Sequence, residues 1–355
     1  MTGRFVRIGP NHISIADPGA LETVYGHSNG LLKSEFYNAF HFGETRDLLN
    51  VRDKAIHTTK RKRIANIFSP QNVLAFEPRV QEHIQRFCAQ LDMRCEQALQ
   101  GASSLNWDAK EGRPERNTTS VHFSYLSFDI ISDLALGVPF GMVEGQKDST
   151  PPSLSLGSKR NVQGIPVIRL IATGGKTAMA LGSHPAWVQT LLFFSAPWYI
   201  PDLINRRNFL NTTRAAVDAR VNKIENGGPE DKDRGVPPGK TLTIAGETFN
   251  EGSVISVPSY STNRSSVWGP DPDTYRPERW LEDSSGSLNK YFVAFSTGPR
   301  ACVGRNLANM NLMLVSAAFF HRYDVQLASS TTKLQVDEGI IRGATHCEVS
   351  IKRRV

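Results

Sequence analysis

The sequence contains no apolar run as long as the roughly 18 residues that a membrane-spanning helix requires. The nearest stretch is residues 185–200, which Gln189 and Pro197 interrupt. The N-terminal segment MTGRFVRIGP also lacks the apolar core of a signal peptide. We therefore expect a chain without an N-terminal anchor, cytoplasmic or peripheral, in which residues 185–200 form an apolar surface that contacts a membrane without crossing it.

Cysteine is scarce, and a large excess of one charge is absent. The four cysteines are Cys88, Cys95, Cys302 and Cys347. Their irregular spacing does not resemble a disulfide framework, which favours a reducing compartment. The net charge of +7 is modest for 355 residues. An anionic partner would explain this charge, but a solvated basic surface explains it more simply, and we expect no nucleic-acid partner.

The hydrophobic periodicity predicts a mainly α fold with a small β component. Apolar residues between positions 80 and 95 fall on one helical face, and residues 123–137 predict a second helix. Residues 307–317 predict a third helix, which is apolar nearly all round and is therefore expected to be buried. Short alternating segments at residues 5–15 and 349–351 predict strands. With no internal repeat, we expect residues 1–355 to form a single domain.

One ten-residue segment combines residues that suit metal chemistry. It has the pattern F-x-x-G-x-R-x-C-x-G, formed by Phe295, Gly298, Arg300, Cys302 and Gly304. The positive end of the following helix and nearby donors would stabilise a thiolate at the cysteine. The glycines would permit tight turns that bring N–H groups close to the sulfur. A buried free cysteine at a helix start and a redox-active thiol are the alternatives, but no second cysteine lies nearby for the latter.

This pattern resembles the haem-binding segment of the cytochrome P450 family, in which a cysteine thiolate ligates the haem iron. The resemblance implies that Cys302 is the axial iron ligand and that the other four residues of the pattern contact the cofactor. Arg300 would pair with a haem propionate. The fold would then be that of cytochrome P450.

Two upstream segments are also similar to that family. Residues 275–280 resemble its Pro-Glu-Arg-aromatic segment, where Arg279 would join a buried salt-bridge network; an exposed loop charge is the alternative. Residues 57–61 resemble an early helix in which His57 and Arg61 face one side and contact the propionates. The segments PPGKTLTIAG and NRSSVWG resemble fungal members of the benzoate para-hydroxylase type.

The resemblance implies a monooxygenase that inserts one oxygen atom from O₂ into a small apolar or aromatic substrate. Its cofactor would be haem, iron protoporphyrin IX. Electrons would come from NADPH through NADPH–cytochrome reductase, and the family implies a location at the endoplasmic reticulum membrane.

Two family motifs are absent, so the P450 fold is expected to be incomplete. No Glu has an Arg three residues later, and no helix carries the acid–alcohol pair that lines the distal face of the haem. Residues 245–248 (AGET) imitate that element, but they lie in a segment that is predicted to be strand. The loss suggests an in-frame deletion near residues 235–236, through a shortened isoform, an error in gene prediction or degeneration. We therefore expect no identifiable distal catalytic residue. Arg279 would lack its salt-bridge network, and the chain would have little or no activity. A catalytically inactive haem-binding remnant is therefore the alternative.

Overall fold

The structure is a computed structural model that describes residues 3–27, 29–41, 46–104, 107–116, 119–150, 164–182, 184, 188, 191, 234–235, 241–329, 334–337 and 343–354. The chain forms two compact units. The first comprises Met1–Phe68, Gly182–Pro185 and Gly227–Arg305, and the second comprises Ser69–Leu181, Ala186–Asn226 and Asn306–Val355. The single domain expected from the sequence stays a prediction.

Helices dominate the described residues and strands form a minor part, as predicted. The α-helices are α1 (Ala20–Tyr25), α2 (Lys54–Ala65), α3 (Pro70–Leu74), α4 (Glu77–Leu99), α5 (Thr119–Leu136), α6 (Met142–Gly145), α7 (Val167–Gly182), α8 (Ser259–Thr262), α9 (Arg279–Glu282) and α10 (Arg305–Arg322). The strands are β1 (Phe5–Gly9), β2 (His12–Ile15), β3 (Asp108–Lys110), β4 (Arg113–Arg116), β5 (Arg234–Gly235), β6 (Leu242–Ile244), β7 (Glu247–Phe249), β8 (Val254–Ser256), β9 (Tyr323–Leu327), β10 (Gln335–Asp337), β11 (Gly343–His346) and β12 (Val349–Arg353). Short 3-10 helices span Glu35–Phe40, Ser266–Trp268, Ser287–Tyr291 and Gly298–Arg300.

The first unit is built on a four-stranded sheet in the order β1-β2-β8-β5. Strands β1 and β2 are antiparallel, β2 and β8 are parallel, and β8 and β5 are antiparallel. Ile15 and Ile255 project from this sheet into a buried cluster that also contains Val24 and Val293. The sheet therefore packs against α1 and against the segment that leads to the predicted cysteine loop.

A separate hairpin of β6 and β7 in the first unit contains the AGET sequence. Ala245 and Gly246 form its turn with φ of 51° and 88°, as a two-residue turn of type I′ requires. Across the hairpin, the hydroxyl oxygens of Thr248 and Thr243 lie 3.0 Å apart and are exposed. The expectation that this segment imitates the distal element without forming it is confirmed.

The second unit packs helices against a four-stranded sheet in the order β3-β4-β12-β9. The predicted face of α4 is buried along its length, and α5 and β12 contribute to the same cluster. Gly137 follows α5 with φ of 77°, which confirms the predicted helix end. Ser69 caps α3 by accepting a hydrogen bond from the amide of Asn72, and Pro70 occupies the first turn, where its missing N–H costs no helical hydrogen bond.

Helix α10 forms where expected, but the prediction that it is buried is wrong. Within α10 only Leu307 and Phe319 are buried. Leu312, Met313 and Phe320 are 60%, 73% and 58% exposed. The helix is apolar nearly all round, so it requires neighbours on every side. In the part of the chain that the structure describes, only one side is covered.

Membrane contact was predicted for residues 185–200. Apart from Val188 and Leu191, these residues lie outside the described ranges. No helix among the described residues combines the length and the apolar character needed to cross a bilayer.

Candidate functional site

Cys302 lies in a short loop between the 3-10 helix Gly298–Arg300 and the start of α10. The loop folds back on itself, because the amide of Cys302 donates to the carbonyl of Phe295 at 2.9 Å and the amide of Ala301 donates to that of Gly298 at 3.0 Å. The Cys302 residue is exposed, unlike Cys88 and Cys95. The alternative of a buried, inert cysteine at a helix start is therefore wrong for Cys302, whereas Cys88 and Cys95 are buried in the core of the second unit.

Gly298 is the position in this loop where only glycine fits. Its φ is 75°, and a Cβ built on it would lie 1.7 Å from the carbonyl oxygen of Tyr25 at the end of α1. Gly304, by contrast, does not adopt a positive φ. A Cβ built on it would lie 3.9 Å from the Cys302 sulfur, which is an ordinary van der Waals contact. The expected tight turn is thus present at Gly298 and absent at Gly304.

Arg300 anchors the loop to the segment that precedes α2. Its side chain is 3% exposed, and its guanidinium donates to the carbonyls of Val51 at 3.2 Å and Arg52 at 3.3 Å. From α2, Arg61 donates to the carbonyl of Ala301 at 2.7 Å. Arg61 and Arg300 therefore both tie the backbone that leads to Cys302 to α2 and to the segment before it.

His57 lies one helical turn before Arg61 in α2 and is 3% exposed. Asp53 begins this helix by accepting a hydrogen bond from the amide of Ile56 at 2.7 Å, an N-cap that fixes where the turns start. Lys62 is exposed and Lys60 half-buried. Lys62 thus lies on a solvated face of α2, and His57 is buried as a cofactor-facing residue would be.

Lys33 is a nearby basic residue that sequence reasoning missed. It is fully buried, and its Nζ donates to the carbonyl of Leu49 at 2.7 Å. Arg46 donates to the carbonyl of Asn50 at 3.0 Å. Together with Arg300, three basic side chains converge on the carbonyls of residues 49–52. These acceptors are neutral, so they orient the side chains without cancelling their charge, and the region suits an anionic group.

Phe295 connects the loop to a chain of aromatic rings. Ring centroids are 5.4 Å apart for Trp268 and Trp280, 5.5 Å for Trp280 and Phe292, and 6.3 Å for Phe292 and Phe295. The guanidinium of Arg305, at the start of α10, lies 5.9 Å from the Phe295 ring centroid. The loop that carries Cys302 is therefore packed through Phe295 as well as through Arg300.

Arg279 is buried, which excludes the alternative of an exposed loop charge. The expectation that it would lack partners is wrong. Its guanidinium donates to the carbonyls of Arg276 at 3.0 Å, Thr274 at 2.8 Å and Asp271 at 3.3 Å, and also to that of Trp268. The chain from residue 268 to residue 276 wraps around the guanidinium, and the carboxylate of Asp271 pairs with it at 3.8 Å. Backbone carbonyls and one carboxylate of this segment therefore satisfy its charge.

These residues fit a cofactor that needs one protein ligand to its metal and cations for its acidic groups. In the described ranges, no three His, Cys, Asp or Glu side chains cluster as a metal site would require. In haem-thiolate proteins a single cysteine is the protein ligand of the iron, and Cys302 would take that part. Arg300 and Arg61 could hold carboxylates beside it. The set fits haem on the side of Cys302.

The comparisons with known proteins concern the family and the fold of the chain. The family model described as Cytochrome P450 matches residues 239–350. The chain is 30% identical to benzoate 4-monooxygenase bphA of Aspergillus niger, over 99% of this chain and 86% of that enzyme. It is 22% identical to the cytochrome P450 monooxygenase hepC of Aspergillus oryzae, over 92% of this chain and 80% of that protein. A crystal structure of the cytochrome P450 CYP102L1 matches with a TM-score of 0.66 at 12% identity, covering 96% of this chain and 89% of that one. The chain belongs to the cytochrome P450 family.

Proposed function

We propose that this protein is a haem-thiolate monooxygenase in which Cys302 is the axial ligand of the haem iron. The observation that carries the proposal is the exposed cysteine in a loop that hydrogen bonds of two arginines hold in place. Membership of the family supports the reaction class. The pattern around Cys302 supports the choice of ligand, because a thiolate beside the N-terminus of a helix is stabilised in its ionised form.

The remaining contacts to haem are assigned by charge and burial. Arg300 and Arg61 would bind the propionates, and His57 would approach the same groups from α2. Charge-assisted bonds of this kind are strong when partly buried, because water competes for them less. Phe295 would hold the loop against the aromatic rings of the first unit. Gly298 would allow the close approach to α1, whereas Gly304 lies beside the sulfur at a position where a Cβ would make only an ordinary contact.

The chemistry would depend on both cofactor and protein. When bound, haem supplies the activation of O₂, with electrons from NADPH through a cytochrome reductase, so that one oxygen atom enters a small apolar or aromatic substrate. The protein holds the sulfur in place through the bond between the Cys302 amide and the Phe295 carbonyl. The Aspergillus niger relative is named for benzoate, so benzoate is the first substrate to test.

A second candidate is a haem-binding protein without turnover, and three observations favour it. The alignment with the Aspergillus niger enzyme extends over 471 residues while this chain has 355, so at least 116 aligned positions (471 minus 355) have no counterpart here. The family model match begins at residue 239, directly after the deletion proposed near residues 235–236. Helix α10 also exposes an apolar face in the described structure. A missing central segment would explain all three.

The axial ligand can be tested by a reduced carbon monoxide difference spectrum of the purified chain. We expect the Soret shift that is typical of thiolate ligation, its loss in Cys302→Ala and its retention in Cys347→Ala. Cys347 is a half-buried cysteine of the second unit and serves as the matched control. Retention of the thiolate spectrum by Cys302→Ala would show that the ligand is assigned wrongly.

A further inference from the structure

We propose that Tyr25 is a positioning residue for Cys302. It acts by fixing the end of α1, whose last carbonyl contacts the cysteine loop. That the Cys302 sulfur binds haem iron rests on the proposed function, whereas the contact between the Tyr25 carbonyl and the cysteine loop does not. Tyr25 lies far from residues 295–304 in sequence, and no motif connects the two. Their relation is visible only in the folded first unit.

The side chain of Tyr25 ties α1 to the sheet. Its hydroxyl oxygen accepts a hydrogen bond from the amide of Val257 at 3.0 Å. Val257 is buried and directly follows β8. A buried amide without an acceptor is costly, so this bond holds the hydroxyl of Tyr25 where the strand ends. The end of α1 is therefore set by the position of the sheet.

The backbone of the same residue reaches the loop. The carbonyl oxygen of Tyr25 occupies the space in which a Gly298 side chain would lie, 1.7 Å from an ideal Cβ. Gly26 closes the helix, since its amide donates to the Glu22 carbonyl at 2.7 Å. A Cβ at Gly26 would meet that same carbonyl oxygen at 2.3 Å. The chain thus has little freedom to move the Tyr25 carbonyl away from the loop.

The loop transmits this contact to the cysteine within four residues. The carbonyl of Gly298 accepts from the amide of Ala301 at 3.0 Å, and the Cys302 amide is bound to Phe295 at 2.9 Å. A shift of the Tyr25 carbonyl would displace Gly298 and strain both bonds. The direction of the Cys302 side chain would change with them, because that side chain follows directly from the backbone that these bonds fix.

Tyr25 could instead contribute only apolar packing, since its ring also contacts the core cluster of the first unit. The variant Tyr25→Phe separates the two roles: it keeps the ring and removes the acceptor of the Val257 amide. Tyr291 packs against the same cluster, so Tyr291→Phe is the matched control. A packing role predicts little change in either variant, whereas positioning predicts a local change in the cysteine loop for Tyr25→Phe alone.

The test is amide hydrogen exchange of the full chain, followed by mass spectrometry. We expect residues 293–305 to exchange about tenfold faster in Tyr25→Phe, since a bond of this kind is worth roughly a factor of ten. Exchange in α4 should stay as in the wild type, and Tyr291→Phe should behave as the wild type throughout. Unchanged exchange of the loop in Tyr25→Phe, or equal acceleration by both variants, would overturn the proposal.

A second readout uses the haem-loaded chain. In Tyr25→Phe we expect part of the reduced carbon monoxide spectrum to lose its thiolate character, with haem content close to that of the wild type. A full thiolate spectrum in this variant would contradict the proposal. If the wild type itself gives no thiolate spectrum, the proposed function fails, but the exchange experiment still decides whether Tyr25 positions the loop.

Discussion

Two glycines near the cysteine differ in what surrounds them, and this difference gives a prediction for single residues. Gly298→Ala would force a side chain onto the Tyr25 carbonyl at a left-handed φ of 75°. We expect it to cost more than about 2 kcal/mol and to lower haem content by about tenfold or more, because the loop would have to move. The haem-to-protein ratio after purification measures the effect.

Gly304→Ala is the control, since its Cβ would make only an ordinary contact with the sulfur at 3.9 Å. We expect it to retain haem and the thiolate spectrum. If the two variants lost haem equally, the close approach to α1 would not be what makes Gly298 necessary.

Several features of the site are visible in the sequence because they depend on local residue type. The spacing of Gly298, Arg300 and Cys302 is enough to predict the loop, whereas the role of Cys302 as iron ligand stays a prediction. Tyr25 and Lys33 were missed because their roles arise from contacts with residues far along the chain: Val257 for Tyr25 and Leu49, beside the Arg300 acceptors, for Lys33. No local pattern encodes such contacts.

A charged cluster around Asp92 joins α4 to the end of α10 and the start of β9 in the second unit. Asp92 in α4 accepts hydrogen bonds from Arg322, at the end of α10, at 3.1 Å and from the hydroxyl of Tyr323 at 2.8 Å. Burial alone would raise the pKa of the Asp92 carboxyl, but these hydrogen bonds hold it below its usual value. The carboxylate therefore stabilises the folded state in its charged form.

The cluster leads to a prediction for Asp92→Asn. Since the folded pKa lies below the unfolded value of about 3.9, the stabilisation is fully present above that value and is lost as the pH falls through the folded pKa. We expect the variant to lower the free energy of unfolding by about 1–2 kcal/mol at pH 7, with the difference shrinking below about pH 4. Urea unfolding at several pH values measures both effects.

Asp324→Asn is the matched control, because Asp324 pairs with Arg113 at 2.9 Å but its side chain is 45% exposed. Exposed pairs contribute about 0–1 kcal/mol. An Asp92→Asn variant as stable as Asp324→Asn at pH 7 would mean that the cluster does not join these elements.

The elements themselves show where reading from sequence succeeds and where it does not. Helix α4 has a single apolar face, so its periodicity predicts both the helix and the buried side. Helix α10 is apolar on nearly every side, and this composition predicts a helix without saying which neighbours exist. The exposed Leu312, Met313 and Phe320 therefore could not be foreseen. The partners of Arg279 could not be predicted either, because they are mainly backbone carbonyls whose positions depend on how residues 268–276 fold around it.

At the scale of the whole molecule, the cysteine loop does not depend on the sequence motifs that the chain lacks, whereas the distal side of a haem pocket would. The loop is held by Arg300, Arg61 and the contact at Gly298, all within the first unit. Arg279 is likewise satisfied by its own segment. None of these contacts requires the Glu-x-x-Arg sequence that the chain lacks, so haem binding and turnover need not fail together.

This separation gives the last prediction. We expect the 355-residue chain to bind haem through Cys302 yet to turn over benzoate at least about a hundredfold more slowly than a repaired chain, because a missing acid–base group alone costs 10²–10⁴ in rate. The repaired chain would carry, between Gly235 and Val236, the segment of the Aspergillus niger relative that aligns with the deletion proposed there. That segment should also cover the apolar face of α10, and the temperature of thermal unfolding should rise as exposed apolar surface is buried.

The measurement is NADPH oxidation with a cytochrome reductase, coupled to hydroxylated product, in both chains. The repaired chain carrying Cys302→Ala is the control for activity that does not depend on the thiolate. Robust coupled turnover by the 355-residue chain would show that its own residues complete the pocket, and would overturn this prediction.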